Sequence, residues 1–199
     1  MKDEGVIKYK CNWKQEPPMP YEWISELNDW RDKLYKAGLI GEDENGIGYG
    51  NISRRLERNI FVISGSGTGS LKKLNAEHYT KVTAYDLAKN MLTTIGPIKA
   101  SSESLTHAAI YEMVPELNAV FHIHHLALWD KLLTQLPSTG KHIEYGTTAM
   151  ANEIAQLIKD PLVLEEGIIA MGGHREGVLS FGKDLEDAGL SINKWWACL

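Results

Sequence analysis

A single α/β domain is what this sequence predicts, on three observations. Apolar residues recur with both the helical and the strand period. The helical and strand segments are mixed without strict alternation. No internal repeat or linker divides the 199 residues, a length that suits one domain with a substantial core.

The elements follow in order. Residues 1–20 read as an irregular segment punctuated by Pro17, Pro18 and Pro20. Trp23, Ile24, Leu27, Trp30 and Leu34 recur at helical spacing, with Gly38 placed to end the helix. Their apolar face is expected to be core or subunit contact. A glycine-rich passage runs from Gly46 to Ser53. Ile60–Ser64 reads as a strand, followed by a tight loop, Gly65-Ser66-Gly67-Thr68-Gly69-Ser70. Residues 79–95 read as two strands around a turn near Ala88–Asn90, with a helix as the alternative. The next helix is expected to start at Ser101 or Ser102, either serving as N-cap, with Glu103 in the first turn. A strand through His122 and His124 comes next, then helices near residues 125–133 and 147–159. Ile168–Met171 and Val178–Phe181 read as short strands with His174 in the turn between them, and Asp184 opens a last helix.

The chemistry concentrates in Ala119-Val120-Phe121-His122-Ile123-His124-His125. Residues two apart share one face of a strand. His122 and His124 therefore project together and can chelate one divalent metal if a third ligand arrives and one position stays open. His174, in a Gly-rich turn, is the candidate third ligand, and Glu103 is the candidate carboxylate acting on a bound substrate. A His-x-His pair can equally bond backbone carbonyls, and serines before a helix can simply cap it. His107 is expected to pack near the site, with His78 and His142 in loops or at the surface.

Bulk properties exclude some functions. The formal net charge is −5 and no basic block occurs, which argues against a nucleic-acid surface. Met1–Gly5 has no apolar signal core and no run approaches transmembrane length, so a soluble cytoplasmic protein is expected. Cys11 and Cys198 make no disulfide framework. An anion site remains open, because backbone N–H groups at turns and helix starts build one without lysine.

Taken in chain order, Gly50-Asn51, the Ser/Gly loop, Ser101-Ser102-Glu103, His122-Ile123-His124, Tyr145 and His174 form a pattern that resembles the class II aldolase/adducin family. The resemblance runs from about residue 25 to about residue 190. It implies a three-layer α/β/α fold with a mostly antiparallel sheet, and a homotetramer with sites near subunit boundaries. It also implies zinc on His122, His124 and His174, although three imidazoles accept other divalent transition metals. By the same resemblance Glu103 is the acid/base, and Tyr145 is a proton donor acting across the subunit boundary. Gly50, Asn51, Ser66, Gly67, Ser101 and Ser102 hold the substrate phosphate. The implied reaction is retro-aldol cleavage or aldol addition of a small sugar or sugar phosphate. Similar epimerases commonly carry aspartate where Glu103 stands. A ketose-phosphate dehydratase or epimerase on the same metal, or a non-catalytic module like the adducin head, are the other readings.

Three departures from the family pattern stand out. Arg175 and Glu176 separate His174 from Gly177, so either His174 still reaches the metal or Glu176 competes for that position. The Ser/Gly loop lacks the family's Thr-Pro-Ser-Gly, which leaves a non-phosphorylated substrate open. No tyrosine follows Tyr145, so the tail ending in Trp195 and Trp196 is expected to pack rather than act.

Overall fold

In the computed structural model, which describes residues 6–199, one sheet of eight strands organises the chain. Met1–Gly5, read above for the absence of a signal core, lies outside the described residues. The strands are β1 (Lys10–Gln15), β4 (Asn51–Glu57), β5 (Ile60–Ser64), β6 (Tyr79–Asp86), β7 (Met91–Gly96), β8 (Ala119–His124), β9 (Ile168–Ala170) and β10 (Gly177–Gly182). Their order across the sheet is β1-β7-β6-β5-β4-β8-β10-β9. Every pairing is antiparallel except β1 with β7. A separate ribbon pairs β2 (Gly41–Glu42) with β3 (Gly48–Tyr49).

Both faces of the sheet are covered. On one, α1 (Ser25–Lys36), α3 (Leu126–Gln135) and α6 (Leu185–Trp196) bury Leu27, Leu34, Leu128, Leu132, Leu185 and Ile192 against Ile52, Val62, Phe121 and Ile123. On the other, α2 (Ser104–Met113), α4 (Thr148–Leu157) and α5 (Pro161–Glu166) meet Phe61, Ile63, Val120 and Leu179. The alternation along β8 decides the rest. Phe121 and Ile123 point into one core, which leaves Val120, His122 and His124 on the other face. The three-layer architecture with a mostly antiparallel sheet is as the resemblance implied.

Two local expectations are corrected. Residues 10–15, expected to be irregular, form edge strand β1, paired in parallel with β7. Ser101 and Ser102 do not cap α2. The helix starts at Ser104, with Glu103 as the preceding residue and no side-chain cap. The serines lie in a turn, where Ser104 donates both its N–H (3.1 Å) and its hydroxyl (2.6 Å) to the Ser101 carbonyl. The two strands at 79–95 are β6 and β7. Gly38 follows α1, and of its expected apolar face Ile24, Leu27 and Leu34 are buried while Trp23 is exposed. The Asp184 side chain caps α6 by accepting from Asp187 N–H.

The N-terminal segment also braces the site. Tyr9, 5% exposed, donates its hydroxyl to Ala100 O at 2.9 Å and reaches Ser101 O at 3.2 Å. Tyr9→Phe removes that clamp and takes from the Ala100 carbonyl its hydrogen bond to the Tyr9 hydroxyl, an expected loss of about 1–2 kcal/mol readable in urea unfolding. An unchanged midpoint would show the clamp to be idle.

Candidate metal centre

Three imidazoles from two elements converge. His122 and His124 project from β8, and His174 comes from the turn between β9 and β10. Their ligand atoms all lie within 4.8 Å of one another, and His124 Nε2 is 3.0 Å from His174 Nε2. All three are buried. Burial, and for His122 and His174 their neighbouring histidines, hold their proton affinities down, His124 to about 4. They are therefore neutral near pH 7, the form that ligates metal. Buried neutral nitrogens at this spacing fit a divalent transition ion.

The residues after His174 explain how it reaches the others. Gly177 pairs with His124 across β8 and β10, and a Cβ there would lie 2.2 Å from His174 Cδ2. The His174 ring therefore folds over a position that only glycine leaves open. The two extra residues, with Glu176 at φ 69°, lengthen the turn without removing His174 from the group. Glu176 faces elsewhere, with its carboxylate 3.7 Å from Arg175 Nε. Gly177→Ala is expected to fold yet displace the ring and lower metal affinity by roughly 10–100-fold, as disruption of ligand orientation does. A chelator-competition titration checks this, and wild-type affinity would contradict the packing argument.

Glu103 and His122 line one small polar cleft with Gly50, Asn51, Ser66, Gly67, Ser101 and Ser102. The structure thus gathers all six expected substrate-binding positions around the carboxyl and one imidazole. Glu103 is 2% exposed and accepts from Thr106 Oγ1 at 2.8 Å. Burial pushes its carboxyl up to about 7, against the opposing pull of the Thr106 hydroxyl and the Lys8 ammonium. The Ser/Gly loop is tied to the other wall by Ser66 N–H to Lys99 O at 2.9 Å. From behind, buried Arg31 holds the same loop by Nη2 to Thr68 O and Gly69 O, both at 3.0 Å. Two of the loop's glycines serve packing. A Cβ on Gly65 would strike Ile98, and one on Gly69 would strike Tyr49 backbone, whereas Gly67 needs its positive φ of 75°.

Tyr145 is buried beside its own chain's His174, with ring centroids 4.6 Å apart. Its ring thus borders the centre of its own chain. Lys8 Nζ lies 4.1 Å from the Tyr145 ring centre. Lys8 carries no motif that would have revealed it. Tyr49, stacked on His124 at 4.9 Å, was also missed. Thr106 could have been found as a hydroxyl one helical turn from Glu103. His107 packs beneath the site, its Nδ1 2.7 Å from Ser53 Oγ, itself 2.7 Å from Tyr111 OH. His142 is exposed and His78 half-buried. Trp195 donates to Glu166 at 2.8 Å, so it packs as expected.

A second cavity of about 480 Å³ opens on the far side of His124. The β2–β3 ribbon contributes Glu42, Asp43 and Glu44, and the lengthened turn contributes Arg175 and Glu176. His122 thus lines the small polar cleft and His124 the acidic one.

Known proteins share this fold. One solved L-fuculose 1-phosphate aldolase superposes with a TM-score of 0.67 at 19% identity, over 91% of this chain and 84% of that one. YgbL of Klebsiella pneumoniae, a putative aldolase/epimerase/decarboxylase, gives 0.67 at 19% identity, over 88% and 86%. These likenesses concern the fold. Among curated proteins, a probable L-ribulose-5-phosphate 4-epimerase of Mycoplasma pneumoniae is 33% identical over 101 residues, 49% of this chain and 40% of that protein. A 3-oxo-tetronate 4-phosphate decarboxylase of Haemophilus influenzae is 35% identical over 77 residues, 39% of this chain and 33% of that protein. The chain thus matches less than half the length of either. The named relatives are enzymes. The model of the Class II Aldolase and Adducin N-terminal domain matches residues 39–192, which hold the whole cleft and all three imidazoles, and the chain belongs to that family.

Proposed function

We propose that the chain is a divalent-metal-dependent lyase. It cleaves, or in reverse joins, a carbon–carbon bond of a small sugar or sugar phosphate by aldol chemistry through an enediolate. The observation that carries this reading is a buried carboxyl poised near neutrality, Glu103, in the cleft that one of three converging imidazoles lines. His122, His124 and His174 would hold the ion, zinc in this proposal, and bound there it would supply Lewis-acid charge that stabilises the enediolate. Glu103 moves the proton to and from carbon, since near pH 7 it can both accept and give one. Tyr145 serves the aldehyde-side oxygen. Gly50, Asn51, Ser66, Gly67, Ser101 and Ser102 hold the phosphate or its hydroxyl equivalent through N–H and O–H groups, since among the described residues no lysine or arginine lines the cleft. The remote end of the substrate faces the acidic cavity, which disfavours a second anionic terminus.

The proposed assembly is a homotetramer working in the cytoplasm. No described helix is long and apolar enough to cross a membrane. The test is product analysis after zinc-loaded protein meets a panel of ketoses and ketose phosphates. Two carbonyl fragments from one substrate support the lyase. An isomer of unchanged mass replaces this reading with epimerisation, which the stretch shared with the epimerase favours. Loss of water assigns a dehydratase. Protein that holds no metal and turns over nothing overturns catalysis altogether.

A further inference from the structure

Asn51 and His122 face each other as register partners on β4 and β8. Asn51 is 6% exposed and His122 1%. The Asn51 amide nitrogen stands 3.2 Å from His122 Nδ1. Asn51 Oδ1 and His122 Nε2 are both buried without a hydrogen-bond partner among the described residues. In that orientation the amide donates to Nδ1, so the ring proton must sit on Nε2. A buried N–H would then point without a partner, and so would a buried carbonyl oxygen, at a cost of about 1–3 kcal/mol each.

A half-turn of the amide exchanges its oxygen and nitrogen, and the hydrogen-bond network decides between the two. With Oδ1 toward the ring, Nδ1–H donates to it and Nε2 carries a lone pair. The amide N–H₂ then points where Oδ1 stood, in a residue that lines the cleft with Ser101, Ser102 and Glu103. The rotation keeps the Asn51–His122 hydrogen bond, frees His122 Nε2 of its proton and so gives the ring the tautomer a metal needs.

We propose that Asn51 is a positioning residue for the metal centre. Its carbonyl oxygen holds His122 Nδ1–H and so presents Nε2 to the ion. This goes beyond the substrate-binding role assigned to it above, and it rests on the reading of the three histidines as a metal site. Asn51 thereby links the cleft to the ion, because the same amide serves both.

The experiment compares wild type, Asn51→Ala and Asn51→Asp in two readouts. The first is zinc affinity by chelator competition. The second is the tautomer of His122 from ¹⁵N shifts of labelled imidazole in metal-free protein at mildly alkaline pH, with circular dichroism as the folding control. Asn51→Ala is expected to weaken zinc binding by roughly 10–100-fold, the usual effect of removing a ligand's outer partner. Asn51→Asp keeps an acceptor and should bind zinc within severalfold of wild type. Wild-type His122 should carry its proton on Nδ1. Wild-type affinity in Asn51→Ala, or an equal loss in both variants, overturns the proposal and leaves the metal reading standing. If wild type binds no zinc, the metal reading fails, and the tautomer alone judges Asn51. A proton on Nε2 in wild type overturns the proposal on its own, even where Asn51→Ala does not fold.

Discussion

Zinc content of the His174→Ala protein is expected to fall from about one ion per chain to well below that, with turnover lost alongside it. Four-donor structural zinc sites are worth roughly 10–16 kcal/mol, about 2.5–4 kcal/mol per donor, so losing one donor weakens binding by about a hundred- to a thousandfold. His174 is replaceable without breaking the sheet, because it lies in the turn between β9 and β10 rather than in a strand. The cavity left is polar and borders Tyr145, so the fold should survive with a modest change in thermal midpoint. Metal analysis of protein purified without chelator reads the first effect, and circular dichroism the second. Full zinc in the variant would move the third ligand to another group, with Glu176 or Glu103 the carboxylates to test. The geometry argues against Glu176, which pairs with Arg175 and borders the acidic cavity.

The family could be read from the chain as a resemblance in the order of its motifs, and the pair of histidines on β8 from local periodicity. Residues two apart on a buried strand must share a face, and the apolar lead-in of Ala119–Phe121 marks the strand. His174 could be named from its place in the pattern, but how it reaches the others could not. That depends on Gly177 standing opposite His124 across two strands, a register no local spacing reveals. Strand β1 was missed for a related reason. Lys10-Cys11-Asn12-Trp13-Lys14 does alternate, but the run is short, Cys11 and Trp13 are only half-buried, and its partner β7 lies about 80 residues away, which only the folded sheet discloses. The serines before α2 carry a strong capping signal, yet the competing turn at Ser101 claims them and leaves Glu103 at the helix boundary. Lys8 and Tyr9 reach the site for the same long-range reason, since β1 carries the segment before it along the sheet edge.

Glu103→Gln is expected to keep its metal and lose about a hundred- to ten-thousandfold in turnover, the usual worth of a positioned general base. Glutamine keeps an oxygen that can accept from the Thr106 hydroxyl, so the side chain stays placed while its proton chemistry is gone. The pH dependence sharpens the test. With the carboxyl pushed up to about 7 by burial, wild-type turnover should rise as pH passes through neutrality and the base ionises, and the variant should lack that limb. Stability should move the opposite way. A carboxyl whose folded-state value lies near 7, against 4.5 unfolded, leaves the metal-free protein unpenalised below pH 4.5. Stability is then lost as pH climbs to about 7, by up to about 3 kcal/mol. Metal-free Glu103→Gln should therefore match wild type at pH 4 and exceed it at pH 8 in urea unfolding. Such a trade, a buried charge kept at the expense of stability, is what a working acid/base requires and a merely structural glutamate does not. Unimpaired turnover in the variant would remove Glu103 from the chemistry. A variant less stable than wild type at pH 8 would show that the carboxylate is solvated or paired in the folded protein and is not poised as a base.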